Sequence, residues 1–159
     1  MQRIFAPWRR AYVSEAVKQP ECVLCEALKN SEVDDSLVVH VAAFNFIVMN
    51  LYPYNSGHLM VAPRRHVATL QGATAEELDE MMALARRLEA VTAEVYRPDG
   101  VNLGMNLGQP AGAGVADHLH LHFVPRWSGD TNFMTVAAGT RVIPEDPREA
   151  CRRLRPYFA

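Results

Sequence analysis

The chain has 159 residues, 49% of them hydrophobic and 21% charged, which excludes a disordered protein and allows one substantial core. A formal net charge of -2 excludes a broad electrostatic grip on DNA or RNA, but leaves room for a small anionic ligand held by a local cluster of donors. Trp8, Arg9 and Arg10 stand where a signal peptide would need an apolar run, and the apolar stretch from Phe46 to Tyr52 is broken at Asn50. Neither export nor a membrane partner is therefore expected, and a cytoplasmic location is.

With no internal repeat or low-complexity tract, residues 1–159 are expected to form one domain. It divides into an irregular N-terminal arm over 1–36, a core over 37–135, and a tail with a helix over 136–159. The arm carries Cys22 and Cys25. In a reducing compartment such a pair is a metal or redox candidate rather than a disulfide.

Two stretches rich in Val, Ile and Phe, from Leu37 to His40 and from Phe44 to Asn50, read as strands. After the turn-like Pro53-Tyr54-Asn55-Ser56-Gly57, a third strand is expected over His58 to Ala62, stopping at Pro63. One long helix is predicted from Ala75 to Tyr96. Thr74 and Glu77 form a capping box, and Leu78, Met81, Met82, Ala85, Leu88, Val91 and Val95 recur at helical spacing. Pro98 and Gly100 end it. A fourth strand, Val101 to Leu107, leads into a loop from Gly108 to Gly114 that includes Gln109 and Gly112. The fifth strand holds His118, His120 and His122 and ends at Pro125. Asp146 with Pro147 marks the start of a short terminal helix, in which Cys151 is a buried residue. Together these elements predict an α+β fold with an antiparallel five-stranded sheet.

Alternation along a strand sends His118, His120 and His122 to one face and Leu119, Leu121 and Phe123 to the other. Leucine and phenylalanine fit the underside of the helix. A single histidine on a strand is usually a packed or surface residue, but three in strict alternation after a glycine-bearing loop point to chemistry. Zinc bound by an H-x-H pair is one candidate. The metallo-hydrolase pattern H-x-H-x-D-H fails at His122 and Phe123, and the cupin pattern lacks its downstream glutamate. Full extension would also spread the three rings over about 13 Å. The other candidate is nucleophilic attack by an imidazole on phosphorus, with the amides of Gly112, Ala113 and Gly114 around the phosphate oxygens. His40 and His58 read as structural.

The motif His118-Leu119-His120-Leu121-His122-Phe123-Val124 resembles the signature of the histidine triad (HIT) family of nucleotide hydrolases and transferases. The block from Met49 to Val61 with Pro63 and His66 resembles the family's upstream segment. Pro7-Trp8-Arg9, Cys22-Val23-Leu24-Cys25 and the run from Pro125 to Phe133 look like its bacterial diadenosine tetraphosphate phosphorylase branch. The resemblance implies a HIT-like fold and attack by His120 on an α-phosphorus to give a nucleotidyl-histidine. His122 would contact the phosphate and the leaving oxygen, and the His118 carbonyl would orient the His120 ring. Asn50 stands where relatives bind ribose, often with Asp. Asn106 matches a phosphate- or ribose-contacting position, and Trp127 a branch-specific aromatic near the substrate. Gly114 stands where many relatives carry Ser or Thr, and Gln109 is a candidate to compensate.

By the same resemblance, Cys22, Cys25, His66 and His118 would close a structural zinc site that braces the arm against the histidine strand, with no organic cofactor. The implied substrates are diadenosine polyphosphates or related adenylylated compounds, with phosphate or water as acceptor, in a homodimer. The alternatives are a nucleotide-binding regulatory module with little turnover, a nucleoside phosphoramidate hydrolase, and a hydrolase whose metal is held by the triad itself.

Overall fold

In the computed structural model, residues 22–130 and 145–159 are described. The expectations for Pro7-Trp8-Arg9 and for Thr131-Asn132-Phe133 lie outside them. Five strands, β1 (Val38–Val41), β2 (Asn45–Met49), β3 (Leu59–Pro63), β4 (Gly100–Gly104) and β5 (Leu121–Arg126), form one sheet. Every pair is antiparallel, in the order β1-β2-β3-β5-β4. The expected α+β architecture is the observed one.

The long helix, α2, spans Ala75–Val95 and starts as its sequence dictates. The Thr74 hydroxyl accepts from the Glu77 amide at 3.3 Å, and the Glu77 carboxylate accepts from the Thr74 amide at 2.8 Å, satisfying two amides that the first turn leaves free. Arg65 closes on the same carboxylate at 2.7 Å. Met81, Leu84, Ala85, Leu88 and Val91 are buried against Ile47, Met49, Leu59, Val61 and Phe123 of the sheet. Met82, expected in that stripe, is 54% exposed. It sits one residue, about 100° of helix rotation, from Met81, and Leu84 takes the buried place. Helix α3 (Pro147–Leu154) is capped by Asp146, whose carboxylate accepts from the Arg148 amide at 2.8 Å. It inserts Ala150, Cys151 and Leu154 into the same core.

Three elements differ from expectation. The arm is not wholly irregular, because Val23–Lys29 forms a helix, α1. Leu24 from this helix packs with Val38, Phe46, Val48 and Ala62 on the sheet face away from α2. The fourth strand ends at Gly104 rather than Leu107, since its last ladder partner is His122. The fifth strand begins only at Leu121. His118 and His120 precede it, in a stretch whose Leu119 amide bonds the Val67 carbonyl at 2.6 Å instead of joining the ladder. The alternation of faces survives: Leu119, Leu121 and Phe123 all enter the α2 side of the core.

Candidate active site

His120 is 5% exposed, and its Nδ1–H donates to the carbonyl of His118 at 2.8 Å. A carbonyl only accepts, so the proton sits on Nδ1 and the Nε2 lone pair is free. Burial holds the His120 imidazole below its ordinary pKa, partly offset by that bond. The ring is thus neutral near pH 7. The His122 ring stands edge-on to it, with centroids 4.7 Å apart.

A fourth histidine completes the row. The Tyr54 amide donates to Nδ1 of His58 at 3.0 Å, which leaves the His58 proton on Nε2. That nitrogen lies 3.0 Å from Nδ1 of His122 and donates to it, so His122 carries its own proton on Nε2. The order Tyr54 amide, His58, His122 therefore fixes one acid hydrogen beside one free lone pair. His58 is fully buried and is more than the structural residue its sequence suggested. Nothing in the sequence pairs it with His122, because their contact depends on the register that sets Met60 opposite His122.

Burial pushes His58 down to about 3 and His122 down to about 4, with neighbouring imidazoles adding to both. Folded values below the ordinary 6.5 mean that the unfolded chain binds more protons as the pH falls. Stability is then fully present above pH 6.5 and is lost as the pH drops from 6.5 toward 4, at about 1.4 kcal/mol per pH unit for His58 alone. Thermal melts at pH 7.5, 6 and 5 should show a falling midpoint, and replacement of His58 by Gln should flatten the slope. An unchanged slope would contradict this account.

The remaining candidates divide among three places. Asn50, just past β2, accepts from the Tyr52 amide through Oδ1 at 2.9 Å, and its Nδ2 lies 3.5 Å from His58. Asn106 reaches the Gly112 carbonyl at 3.4 Å and lines, with His122, a cavity of about 290 Å³. The loop before the triad makes a short 3-10 turn at Gln109–Ala111, and Gly112 closes it with φ 92°, a conformation that favours glycine. Gln109 and Gly114 are exposed. Trp127 is not beside the histidines. It packs edge-on against Tyr96 at 6.4 Å and lines a separate cavity.

His118 belongs elsewhere. Its Nε2–H donates to the Pro63 carbonyl at 2.8 Å, so its Nδ1 lone pair faces away, toward Cys22 Sγ at 3.3 Å and Cys25 Sγ at 3.5 Å. Cys25 Sγ is also 3.4 Å from Nδ1 of His66. All four ligand atoms lie within 4.8 Å of one another. Tetrahedral zinc with ordinary bond lengths places sulfur and nitrogen ligands about 3.6 Å apart, so the donor set fits in both chemistry and spacing. A carbonyl on the far ring nitrogen is the usual second contact of a ligating histidine. Among the described residues this is the one group of three or more metal-type ligands. The ring of His118 is thus turned out of the row formed by His120 and His122, which does not favour a metal held by the triad.

A buried imidazole with a free lone pair, a neutral imidazole presenting an N–H beside it and a glycine-bearing loop on this sheet define a histidine triad site. The HIT domain family matches residues 30–129, and the chain belongs to that family. It is 41% identical to the AP-4-A phosphorylase of Mycobacterium tuberculosis over 166 aligned positions, which cover 100% of this chain and 85% of that one. It is 31% identical to the bis(5'-adenosyl)-triphosphatase of Dictyostelium discoideum over 94 positions, 59% of this chain and 62% of the other. Among solved structures, a zinc-bound histidine triad family protein from Mycobacterium smegmatis superposes with a TM-score of 0.68 at 26% identity. That match covers 86% of this chain and 92% of its counterpart.

Proposed function

We propose that the protein cleaves diadenosine polyphosphates, diadenosine tetraphosphate foremost, through a nucleotidyl-histidine on His120. The free Nε2 lone pair of His120, set by the 2.8 Å bond to the His118 carbonyl, carries this reading. Nε2 attacks the α-phosphorus and the bond from phosphorus to the bridging oxygen breaks, while the Nε2–H of neutral His122 donates a hydrogen bond to that oxygen as the nucleotide leaves as an anion. An acceptor oxygen then attacks the phosphorus, the bond from phosphorus to His120 Nε2 breaks, and any proton on the acceptor is released to solvent. Asn50 binds the ribose. Asn106, Gln109 and the amides around Gly112 and Gly114 hold phosphate oxygens, backbone donors serving where relatives use a hydroxyl. Trp127 meets a part of the substrate remote from the histidines.

Orthophosphate is the acceptor, by analogy with the M. tuberculosis phosphorylase. Zinc at Cys22, Cys25, His66 and His118 is structural: four protein ligands leave no open position for water. The chain pairs as a homodimer across β4, an edge strand with Leu103 51% exposed.

The test is product analysis of diadenosine tetraphosphate with and without orthophosphate. ADP plus ATP, formed only with phosphate, is the expected result. AMP plus ATP at a rate indifferent to phosphate would make water the acceptor. Tight binding of AMP with no turnover under either condition would favour a regulatory module instead.

A further inference from the structure

The cavity beside His122 has a second polar end. Alternation along β5 places His122, Val124 and Arg126 on one face, and all three line it together with Tyr54, Asn102 and Asn106. Among the described residues, none that lines it is acidic. His120 and Asn50 do not line it, so the cavity opens from His122 and is distinct from the position at which Asn50 would hold a ribose. Arg126 stands four residues from His122, about 13 Å along an extended strand.

The guanidinium is held in one orientation. Its Nε donates to Asp130 Oδ2 at 2.6 Å, its Nη2 to Asp130 Oδ1 at 3.0 Å and its Nη1 to Asn102 Oδ1 at 2.8 Å. Asp130 is in turn fixed by Asn55 at 3.0 Å. The two partners are unequally exposed: the Asp130 side chain is 9% accessible and that of Arg126 40%. The carboxylate sits behind and the cation in front. Three of the five N–H groups of the fork are occupied among the described residues, leaving two for an oxyanion in the cavity.

We propose that Arg126 anchors the phosphate groups of the leaving nucleotide remote from the scissile bond, and so selects long polyphosphate substrates over adenylylated compounds with small leaving groups. The proposal rests on His120 attacking the α-phosphorus with the leaving group on the His122 side. A short leaving group ends near His122, whereas a nucleoside triphosphate leaving group extends along β5 toward Arg126. A pre-oriented fork meets its oxygens without further loss of rotamer freedom.

The test compares kcat/KM for diadenosine tetraphosphate and for adenosine 5'-phosphoramidate, whose leaving group is ammonia. Two variants are measured beside the parent: Arg126→Lys, and the double variant Arg126→Gln with Asp130→Asn, which removes both charges and avoids a stranded buried carboxylate. The ratio of tetraphosphate to phosphoramidate efficiency should fall about tenfold in the double variant, through KM for the tetraphosphate, and by less in the lysine variant. An equal fall on both substrates, with a lowered melting temperature, would overturn the proposal and leave Arg126 as a brace for Asp130. A raised requirement for orthophosphate with an unchanged KM for the dinucleotide would overturn it too, placing the residue at the acceptor. A parent that cleaves the phosphoramidate but not the tetraphosphate overturns the selectivity while sparing the role of His120. A parent that cleaves neither overturns the functional reading itself.

Discussion

His120→Ala should lower turnover of diadenosine tetraphosphate by roughly 10⁴-fold or more, while AMP still binds. The size follows from what the residue supplies. Without Nε2 the two-step route through a covalent intermediate is closed, and what remains is direct displacement in a site that still positions phosphate. Binding should survive because the groups assigned to ribose and phosphate, Asn50 and the amides around Gly112, are on other elements. His122→Ala should cost less, on the order of 10² to 10³, because it removes a hydrogen-bond donor to the leaving oxygen and not the proposed nucleophile. That loss should shrink for substrates with good leaving groups. Rapid mixing with labelled dinucleotide and an alkaline quench reads the intermediate directly. The parent and the His122 variant should trap label on the protein, and the His120 variant should not. Label trapped as fully by His120→Ala would mean that another atom attacks.

How far such a site can be read in advance depends on whether its determinants are local in the chain. The capping box at Thr74 and Glu77, the Asp146-Pro147 start of α3 and the alternation of Leu119, Leu121 and Phe123 are local patterns, and all three are found in the fold. Helix α1 had no such signature. Cys22 caps it without a side-chain bond, and seven residues are too few to hold a helix alone even with good formers such as Leu24, Glu26, Ala27 and Leu28. What holds α1 is tertiary: Leu24 in the second core cluster and two thiols at His118 and His66. The early end of β4 has a similar origin. Met105 to Leu107 continues the apolar–polar alternation of Val101 to Leu103, but the ladder stops at Gly104 opposite His122. His58 and Arg126 show the same limit inside the site. Each acquires its role from a cross-strand or cross-loop partner, His122 for one and Asn102 with Asp130 for the other. The motif singled out His120 and His122 as candidates, but pointed neither to the residue that sets the His122 proton nor to the guanidinium at the far end of the cavity.

The Cys22→Ser, Cys25→Ser double variant should hold no zinc and melt about 8–16 °C below the parent, on a loss of about 4 kcal/mol at 2–4 °C per kcal/mol for a chain of this size. The loss is smaller than the full binding energy of a structural zinc because the α2 core does not depend on the arm. It is large nonetheless, since His118 is 1% exposed and its Nδ1 lone pair would face two hydroxyls instead of an ion. Activity should fall for a separate reason. The His118 ring is tied to the cluster while its own carbonyl holds His120 at 2.8 Å, so loosening the ring loosens the bond that keeps Nε2 unprotonated. Below the melting range, turnover should fall by about tenfold rather than by the 10⁴ of the nucleophile variant, because the His120 imidazole is still present. Metal content by mass spectrometry, thermal melts and single-turnover rates separate these effects. A parent that contains no zinc when purified without chelator, or melts identically after exhaustive chelation, would refute the structural site. Complete loss of turnover on chelation with an unchanged melting temperature would instead place a metal at the reacting phosphate.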